Sequence, residues 1–324
     1  NAVFEVFYRK EPFGNGYAVY AGLEHVIDYL KNLKFKESDL QYLKEQEGYD
    51  DNFIDYLRNL KLKLTIRSMR EGELVFANEP ILQVEGPLAQ CQLVETAILN
   101  IINFQTLLAT KAARIKLAVQ DDSIMEFGSR RAQETDAAIW GTRAAYIGGF
   151  DSTSNVRAGK LFNIPISGTH AHSLVEAFGS EYEAFKAYAE THKDCVFLVD
   201  TYDTVRSGVP NAIKVANEMG DKINFLGVRI DSGDMAYISK QVRKELDDAG
   251  YPNAKIFASN DLDENTITNA LQLKDQDQFL RFPLNDFYPR GKNVQRYVID
   301  ALRGYQFRYR LRIALCSHPF EKHQ

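Results

Sequence analysis

The stretch CVFLVDTYDTVRSGVPNAIKVANEMGDKINFLGVRIDSGDMAYISKQVRKELDDAG, residues 195–250, decides the fold. CVFLVD is a continuous apolar run of strand length, the pattern of a strand buried on both faces. A helix follows, with Pro210 near its first turn and Gly220 beyond its end. INFLGVRID is a second strand, and DMAYISKQVRKELDDAG a second helix closed by Gly250. The rhythm extends in both directions. SIMEFGS (123–129) reads as a strand, and AQETDAAIWGTRAAYI (132–147) as a helix stopping at Gly148-Gly149. IPISG (164–168) is strand-like, and SLVEAFGSEYEAFKAYAETH (173–192) is one helix with capping-box spacing between Ser173 and Glu176. AKIFAS (254–259) and DENTITNALQL (263–273) add a further strand and helix. Such βα units imply parallel strands with right-handed crossovers, in an open doubly wound sheet or a barrel. Either way the chemistry belongs where strands end and helices begin.

The first hundred residues are less regular. AVFEVFYRK (2–10) alternates Val3, Glu5 and Phe7 against Phe4, Val6 and Tyr8, as a strand does. GLEHVIDYLKNL (22–33) sets Leu23, Val26, Ile27, Leu30 and Leu33 on one helical face. LVFANEPILQVEGPL (74–88) holds two short apolar runs divided by Pro80. Residues 88–115 are apolar on most sides and predict a long buried helix. The expected organisation is an N-terminal α/β domain over 1–115, a catalytic domain over 116–280, and a tail over 281–324 that packs back on the N-terminal domain. That tail carries nine Lys or Arg against three Asp or Glu, and YQFRYRLRI (305–313) within it reads as a half-buried edge strand.

Composition narrows the class. The 324 residues are 45% hydrophobic and 26% charged, as in globular proteins. A net charge of −5 argues against a general nucleic-acid binder. No unbroken apolar run approaches the roughly 20 residues that cross a bilayer, and no membrane association is expected. No signal-peptide pattern is visible, although Asn1 is not a natural start. Cys91, Cys195 and Cys316 form no CxxC pair and read as reduced thiols of a cytosolic protein.

The polar residues at the strand ends form a coherent set. They are Phe127-Gly128-Ser129-Arg130-Arg131, Gly168-Thr169-His170-Ala171-His172, Asp200 with Asp203, Arg229 with Asp231 and Asp234, and Asn260-Asp261. Parallel, adjacent strands would bring all of these to one rim, with arginines for anions, carboxylates for a metal or for hydroxyls, and a histidine. Asp200 and Asp231 could instead cap the following helices. Acid at three strand ends argues for more than capping. A helix starting at Ser173 would put His172 just before the cap, beside free N–H groups that suit an anion. Zinc would need more imidazole or thiolate ligands than this rim offers. No GxGxxG after a strand, GxxxxGK[ST], HExxH or GxSxG is present.

The block EFGSRRAQETDAAIWGTRAAYIGGFDSTSNVRAGKLFNIPISGTHAHS (126–173), with GVRIDSGD, ASNDLDE and the early FYRKEPFGNGYAVYAGLE, closely resembles the nicotinate phosphoribosyltransferase family. The likeness runs from about residue 3 to residue 273. It implies a smaller α/β domain beside an irregular (β/α) barrel-like domain, in a homodimer that shares its active sites. It also implies a reaction: nicotinate and phosphoribosyl pyrophosphate give nicotinate mononucleotide and pyrophosphate, with ATP hydrolysis assisting, in NAD salvage. By the resemblance, Phe127 stacks on the pyridine ring, and Arg130 and Arg229 hold a carboxylate or phosphate. Thr169, Asn260 and Asp261 are further substrate contacts. Asp200 and Asp231 order ribose hydroxyls and Mg²⁺, an oxygen-seeking ion. His172 matches the histidine phosphorylated from ATP, and His170 is its neighbour only. Ser154 stands where nicotinamide-using relatives carry an aspartate, which predicts the acid as substrate. The family's N-terminal segment, which supplies a ring-site aromatic to the partner, is not matched. Nor does KDQDQFLRFPLND (274–286) match the expected glycine-rich phosphate loop.

The rival readings are a nicotinamide or quinolinate phosphoribosyltransferase and a non-catalytic relative that senses a nucleotide. An aldolase-like barrel would want a Schiff-base lysine at a strand end, and these ends carry none.

Overall fold

Residues 2–8 alternate in burial as they do in sequence, with Phe4, Val6 and Tyr8 turned into a core. The computed structural model that shows this describes residues 1–120, 122–275, 296–299 and 311–315. The chain divides into two compact units, one built from Asn1–Thr110 with the strand at 311–315, the other beginning at Lys111.

In the first unit, β1 (Ala2–Tyr8) lies between β12 (Leu311–Leu315) and β5 (Leu82–Gly86), antiparallel to both, and β3 (Thr65–Ser68) follows β5. The strand expected in the tail is thus present at a sheet edge from Leu311 onward. Helix α1 (Leu23–Asn32) buries Val26 against this sheet's core, but Ile27 is exposed rather than on the buried face. Helix α4 (Leu88–Val119) is 32 residues long, four beyond the expected end. By length and composition it could cross a bilayer. Its polar residues argue for a core helix instead: Thr106 accepts the Ala21 N–H and donates to its carbonyl, and Thr110 accepts from Val19.

The second unit is a parallel sheet covered by helices. Its strands are β6 (Ser123–Glu126), β7 (Ser152–Thr153), β8 (Asp194–Leu198), β9 (Asn224–Ile230), β10 (Lys255–Ser259) and β11 (Arg296–Ile299). Their order is β7-β6-β11-β10-β9-β8, all parallel. The segment expected to be a tail therefore supplies β11 to this sheet as well as β12 to the other. First and last strands lie side by side, as in a barrel, rather than reversing at a switch point. Among the described residues no ladder joins β7 to β8, so the expected barrel is not closed there. IPISG makes one isolated bridge, Thr153 to Ile166, instead of a strand. Pro165 has no N–H to donate, which limits any ladder at this point.

Helices α8 (Glu181–Thr191), α9 (Val209–Met219) and α10 (Met235–Asp248) share one core with β8, β9 and β10, including Phe185, Phe197, Val215, Ile230 and Leu246. Each such side chain contributes about 1.5–3 kcal/mol through burial. The single helix expected over 173–192 is two. Helix α7 (His172–Phe178) stops at Gly179, left-handed at φ 71°, and Ser180 caps α8 by accepting from Glu183 N–H. A bulge between Cys195 and Val196 leaves Leu226 without a partner and puts Gly227 at φ 145°. A Cβ at Gly227 would lie 1.9 Å from the Lys255 carbonyl oxygen, so only glycine fits.

Candidate active site

The rim is assembled by the strand ends, and capping is divided from site chemistry there. Asp203 accepts from Arg206 N–H, Asp234 from Tyr237 N–H, and Asp263 from Thr266 N–H, so these three acids open the following turns or helices. Asp200 and Asp231, each three residues before a capping acid, do no capping. Asp200 Oδ2 instead accepts from Asp231 N–H at 2.8 Å and from the Ser232 hydroxyl at 2.6 Å. Its Oδ1 is buried and has no hydrogen-bond partner among the described residues. Asp231 Oδ1 accepts from Arg229 at 3.1 Å and Ser259 at 2.5 Å. Burial pushes the Asp231 carboxyl up, but the Ser259 hydroxyl, Arg229 and His172 outweigh it and hold it below its ordinary value.

Arg229 is buried and fully directed. Its Nε donates to Ser259 Oγ at 2.7 Å, one terminal nitrogen to Thr169 Oγ1 at 2.9 Å, and the other to Asp231. Its guanidinium carbon sits 5.9 Å from the centre of the Phe127 ring. Phe127 is half-buried against Met125, Val196 and Phe257, so it serves the core and the site together. Glu126, the last residue of β6, is buried beneath it. Its carboxylate accepts from Gly128 N–H and from the hydroxyls of Thr142 and Thr153, fixing the turn that carries Arg130 and Arg131.

His172 does not precede a cap. It is the first residue of α7, and extended Ala171 stands at the cap position with no side chain able to bond there. Ser173 and Glu176 therefore lie within the helix, and their capping-box spacing is coincidental. His172 Nδ1 lies 3.1 Å from Thr201 Oγ1. Its Nε2 lies 3.5 Å from Asp231 Oδ2 and 3.9 Å from Asp200 Oδ1. His170 also borders the site cavity, but it is buried, and its Nε2 accepts from Leu198 N–H at 3.1 Å.

These residues surround a cavity of about 410 Å³, a volume suited to a small molecule. Phe127, Arg130, Ser154, Thr169, His172, Arg229, Asp231, Asn260 and Asp261 all line it. Asp200 is not in the lining, but its Oδ1 lies 3.9 Å from Nε2 of His172. Behind Asn260-Asp261, Glu264 is paired with Lys111 and Arg114, which holds the start of α11 (Glu264–Asp275) against the end of α4. Sequence reasoning missed Glu126, Thr201 and Ser259. Ser259 was within reach, as the polar residue closing an apolar strand. No described cluster offers three His, Cys, Asp or Glu ligands to a metal. The pair Asp200 and Asp231, with one oxygen each left toward His172, fits a hard cation that shares its shell with substrate phosphates. Cys91 and Cys195 are buried free thiols; Cys316 lies outside the described residues, as do residues 276–286 of the segment read against the phosphate loop.

Sequence and fold both match known proteins. The model of the nicotinate phosphoribosyltransferase N-terminal domain matches residues 1–103, and that of the nicotinate phosphoribosyltransferase family matches residues 123–282. Nicotinate phosphoribosyltransferase of Bacillus subtilis is 67% identical over 268 residues, covering 83% of this chain and 55% of that protein. A Mycobacterium tuberculosis nicotinate phosphoribosyltransferase is 43% identical, covering 96% of this chain and 65% of its own length. The chain thus spans between half and two thirds of these relatives. The crystal structure of human nicotinic acid phosphoribosyltransferase superposes with a TM-score of 0.81 at 30% identity, covering 99% of this chain and 72% of that one. The chain belongs to the nicotinate phosphoribosyltransferase family.

Proposed function

We propose that the protein joins nicotinate to phosphoribosyl pyrophosphate, releasing nicotinate mononucleotide and pyrophosphate, with ATP hydrolysis assisting and NAD salvage as the setting. The observation that carries this reading is the fixed Arg229, held by Thr169, Ser259 and Asp231 at the wall of a cavity that also presents Phe127 and Arg130. In the reaction the pyridine nitrogen bonds to the anomeric carbon as the bond to pyrophosphate breaks. Positive charge develops on the ribosyl ring and negative charge on the leaving group. Groups already aimed at those charges lower the barrier without reorganising. Arg229 and Arg130 supply the fixed positive charge for a carboxylate or phosphate, and Phe127 an apolar face for the ring. Thr169, Asn260 and Asp261 add hydrogen-bonding groups around the substrates.

Asp200 and Asp231 would hold Mg²⁺, which when bound offsets charge on the pyrophosphate. They also offer acceptors to ribose hydroxyls. Thr201 engages Nδ1 of His172, so Nε2 is the nitrogen open to a phosphoryl group from ATP. Phosphorylation there adds charge and acceptor oxygens beside the two carboxylates and changes what the site can hold. A homodimer with shared active sites belongs to the same reading, on the strength of family membership, as does barrel-like closure of the second unit in the whole protein.

Ser154 favours the acid over the amide. A carboxylate at this wall would repel the carboxylate of nicotinate, whereas a hydroxyl can donate to it. The test is turnover of nicotinate and nicotinamide by the full-length protein, with phosphoribosyl pyrophosphate, Mg²⁺ and ATP. Preference for nicotinate supports the assignment; preference for nicotinamide overturns it.

A further inference from the structure

Among the described residues no ladder joins β7 to β8, and at this seam one segment, residues 165–170, touches both edges. At β7 the contact is main chain: Thr153 N–H donates to the Pro165 carbonyl, and Ser167 N–H to the Thr153 carbonyl. With β8 the segment makes no main-chain ladder among the described residues. Val199 N–H donates to the Arg229 carbonyl on β9, so alternation turns Leu198 N–H to the unpaired side. The acceptor waiting there is Nε2 of the His170 ring, at 3.1 Å. A buried backbone N–H without a partner costs about 1–3 kcal/mol, and this contact avoids that cost at Leu198, although Nδ1 of the same ring is buried without a hydrogen-bond partner among the described residues. The ring itself is buried, with centroids 5.0 Å from Tyr188, 5.6 Å from Phe185 and 6.5 Å from Phe197.

We propose that His170 is a positioning residue: its neutral imidazole stands in for a strand carbonyl at Leu198 and ties the site loop 168–172 to β8 across this seam. An accepting Nε2 cannot carry a proton, so the ring is the Nδ1–H tautomer. The consequence for the site is direct. Thr169, one residue before, accepts from Arg229, and His172, two residues after, meets Thr201, which lies three residues beyond Leu198. Asp200 sits between Leu198 and Thr201. The single bond from His170 to Leu198 therefore sets the register between His172 and the carboxylates it faces. Burial, which holds the imidazole at about 4, keeps the ring neutral and accepting through the ordinary pH range.

The kinetic consequence rests on the function proposed above; the structural one does not. The test uses the full-length protein, His170→Phe and His170→Gln. Phenylalanine keeps the ring packing without the acceptor, and glutamine restores an acceptor oxygen. In the unmodified protein at pH 7, imidazole nitrogen NMR should show a bare Nε2 and a protonated Nδ1. The Leu198 amide should exchange about tenfold faster in His170→Phe, the scale of one lost hydrogen bond, and recover in His170→Gln. Nucleotide formation should fall about tenfold in kcat/KM in His170→Phe and return with glutamine. A protonated Nε2, an unchanged Leu198 amide in His170→Phe, or glutamine no better than phenylalanine would each overturn the proposal. If His170→Phe does not fold, the tautomer and the Leu198 exchange of His170→Gln decide. Absence of product from the unmodified protein would count against the proposed function, leaving the tautomer and the Leu198 exchange to judge the role of His170.

Discussion

Nε2 of His172 lies 3.5 Å from Oδ2 of Asp231. Asp231 is anchored at its other oxygen by Arg229 and Ser259, so the carboxylate cannot turn away. Imidazole and carboxylate form a fixed pair, with Asp200 behind. Asp231→Asn keeps the shape and removes the charge. It should lower kcat/KM for nucleotide formation by about 10²-fold, the scale seen when one fixed polar group leaves an active site. Steady-state kinetics of the full-length variant would check this.

The same residue predicts a pH effect on stability. Its folded value is depressed, so Asp231 contributes stability above its unfolded value of about 3.9 that is lost as pH falls through the folded one. Acid denaturation of Asp231→Asn should therefore lose part of its pH dependence below about pH 4. Urea midpoints at several pH values measure this directly.

His170 acts in a higher window. Burial above all, aided by the positive charge of Arg229, lowers it to about 4 from an ordinary 6.5. Between these values the unfolded chain binds the extra proton, so stability falls as pH drops from about 6.5 to about 4, by at most about 3 kcal/mol. His192 and His172 lie near enough to oppose its charging as well. Thermal or urea unfolding of His170→Gln should lose this slope, since glutamine does not titrate.

Ser154→Asp should shift the substrate choice. Two unit charges about 4 Å apart repel by about 1 to 4 kcal/mol between bulk water and a protein surface. Nicotinate should bind about tenfold or more weakly to this variant, while nicotinamide, which carries no charge to repel, gains relative to it. Competition between the two in the turnover assay reads the ratio.

Gly227→Ala should be severely destabilised. The added Cβ would meet the Lys255 carbonyl oxygen at 1.9 Å, on a backbone at φ 145° that alanine rarely adopts. A loss of more than about 3 kcal/mol is expected, enough to strip most of the margin of an ordinary domain. Soluble yield and the urea midpoint would show it.

The βα rhythm was legible because strands buried on both faces are continuous apolar runs, and CVFLVD and INFLGVRI are such runs. The rim was legible for the same reason: polar residues stand out where those runs stop. The pairing of acids at Asp200 and Asp203, and at Asp231 and Asp234, separates two roles. The second acid of each pair caps, which frees the first for the site. Local rules failed where tertiary contacts decide. Serine and glutamate three apart at 173 and 176 look like a capping box, yet the chain turns helical one residue earlier, where His172 meets Thr201. Glu126 passed as one more residue of a short strand, because nothing local marks a buried carboxylate that will gather three donors. The seam between β7 and β8 was hidden too. IPISG has strand composition, but Pro165 and the side chain of His170 replace the ladder that composition implies.

The most direct measurement is formation of nicotinate mononucleotide by the full-length protein, supplied with nicotinate, phosphoribosyl pyrophosphate, Mg²⁺ and ATP, alongside His172→Ala. Steady product from the unmodified protein, with the ATP-dependent part of the rate abolished in His172→Ala, is the expected result. No product from the unmodified protein under these conditions would contradict the proposed function outright.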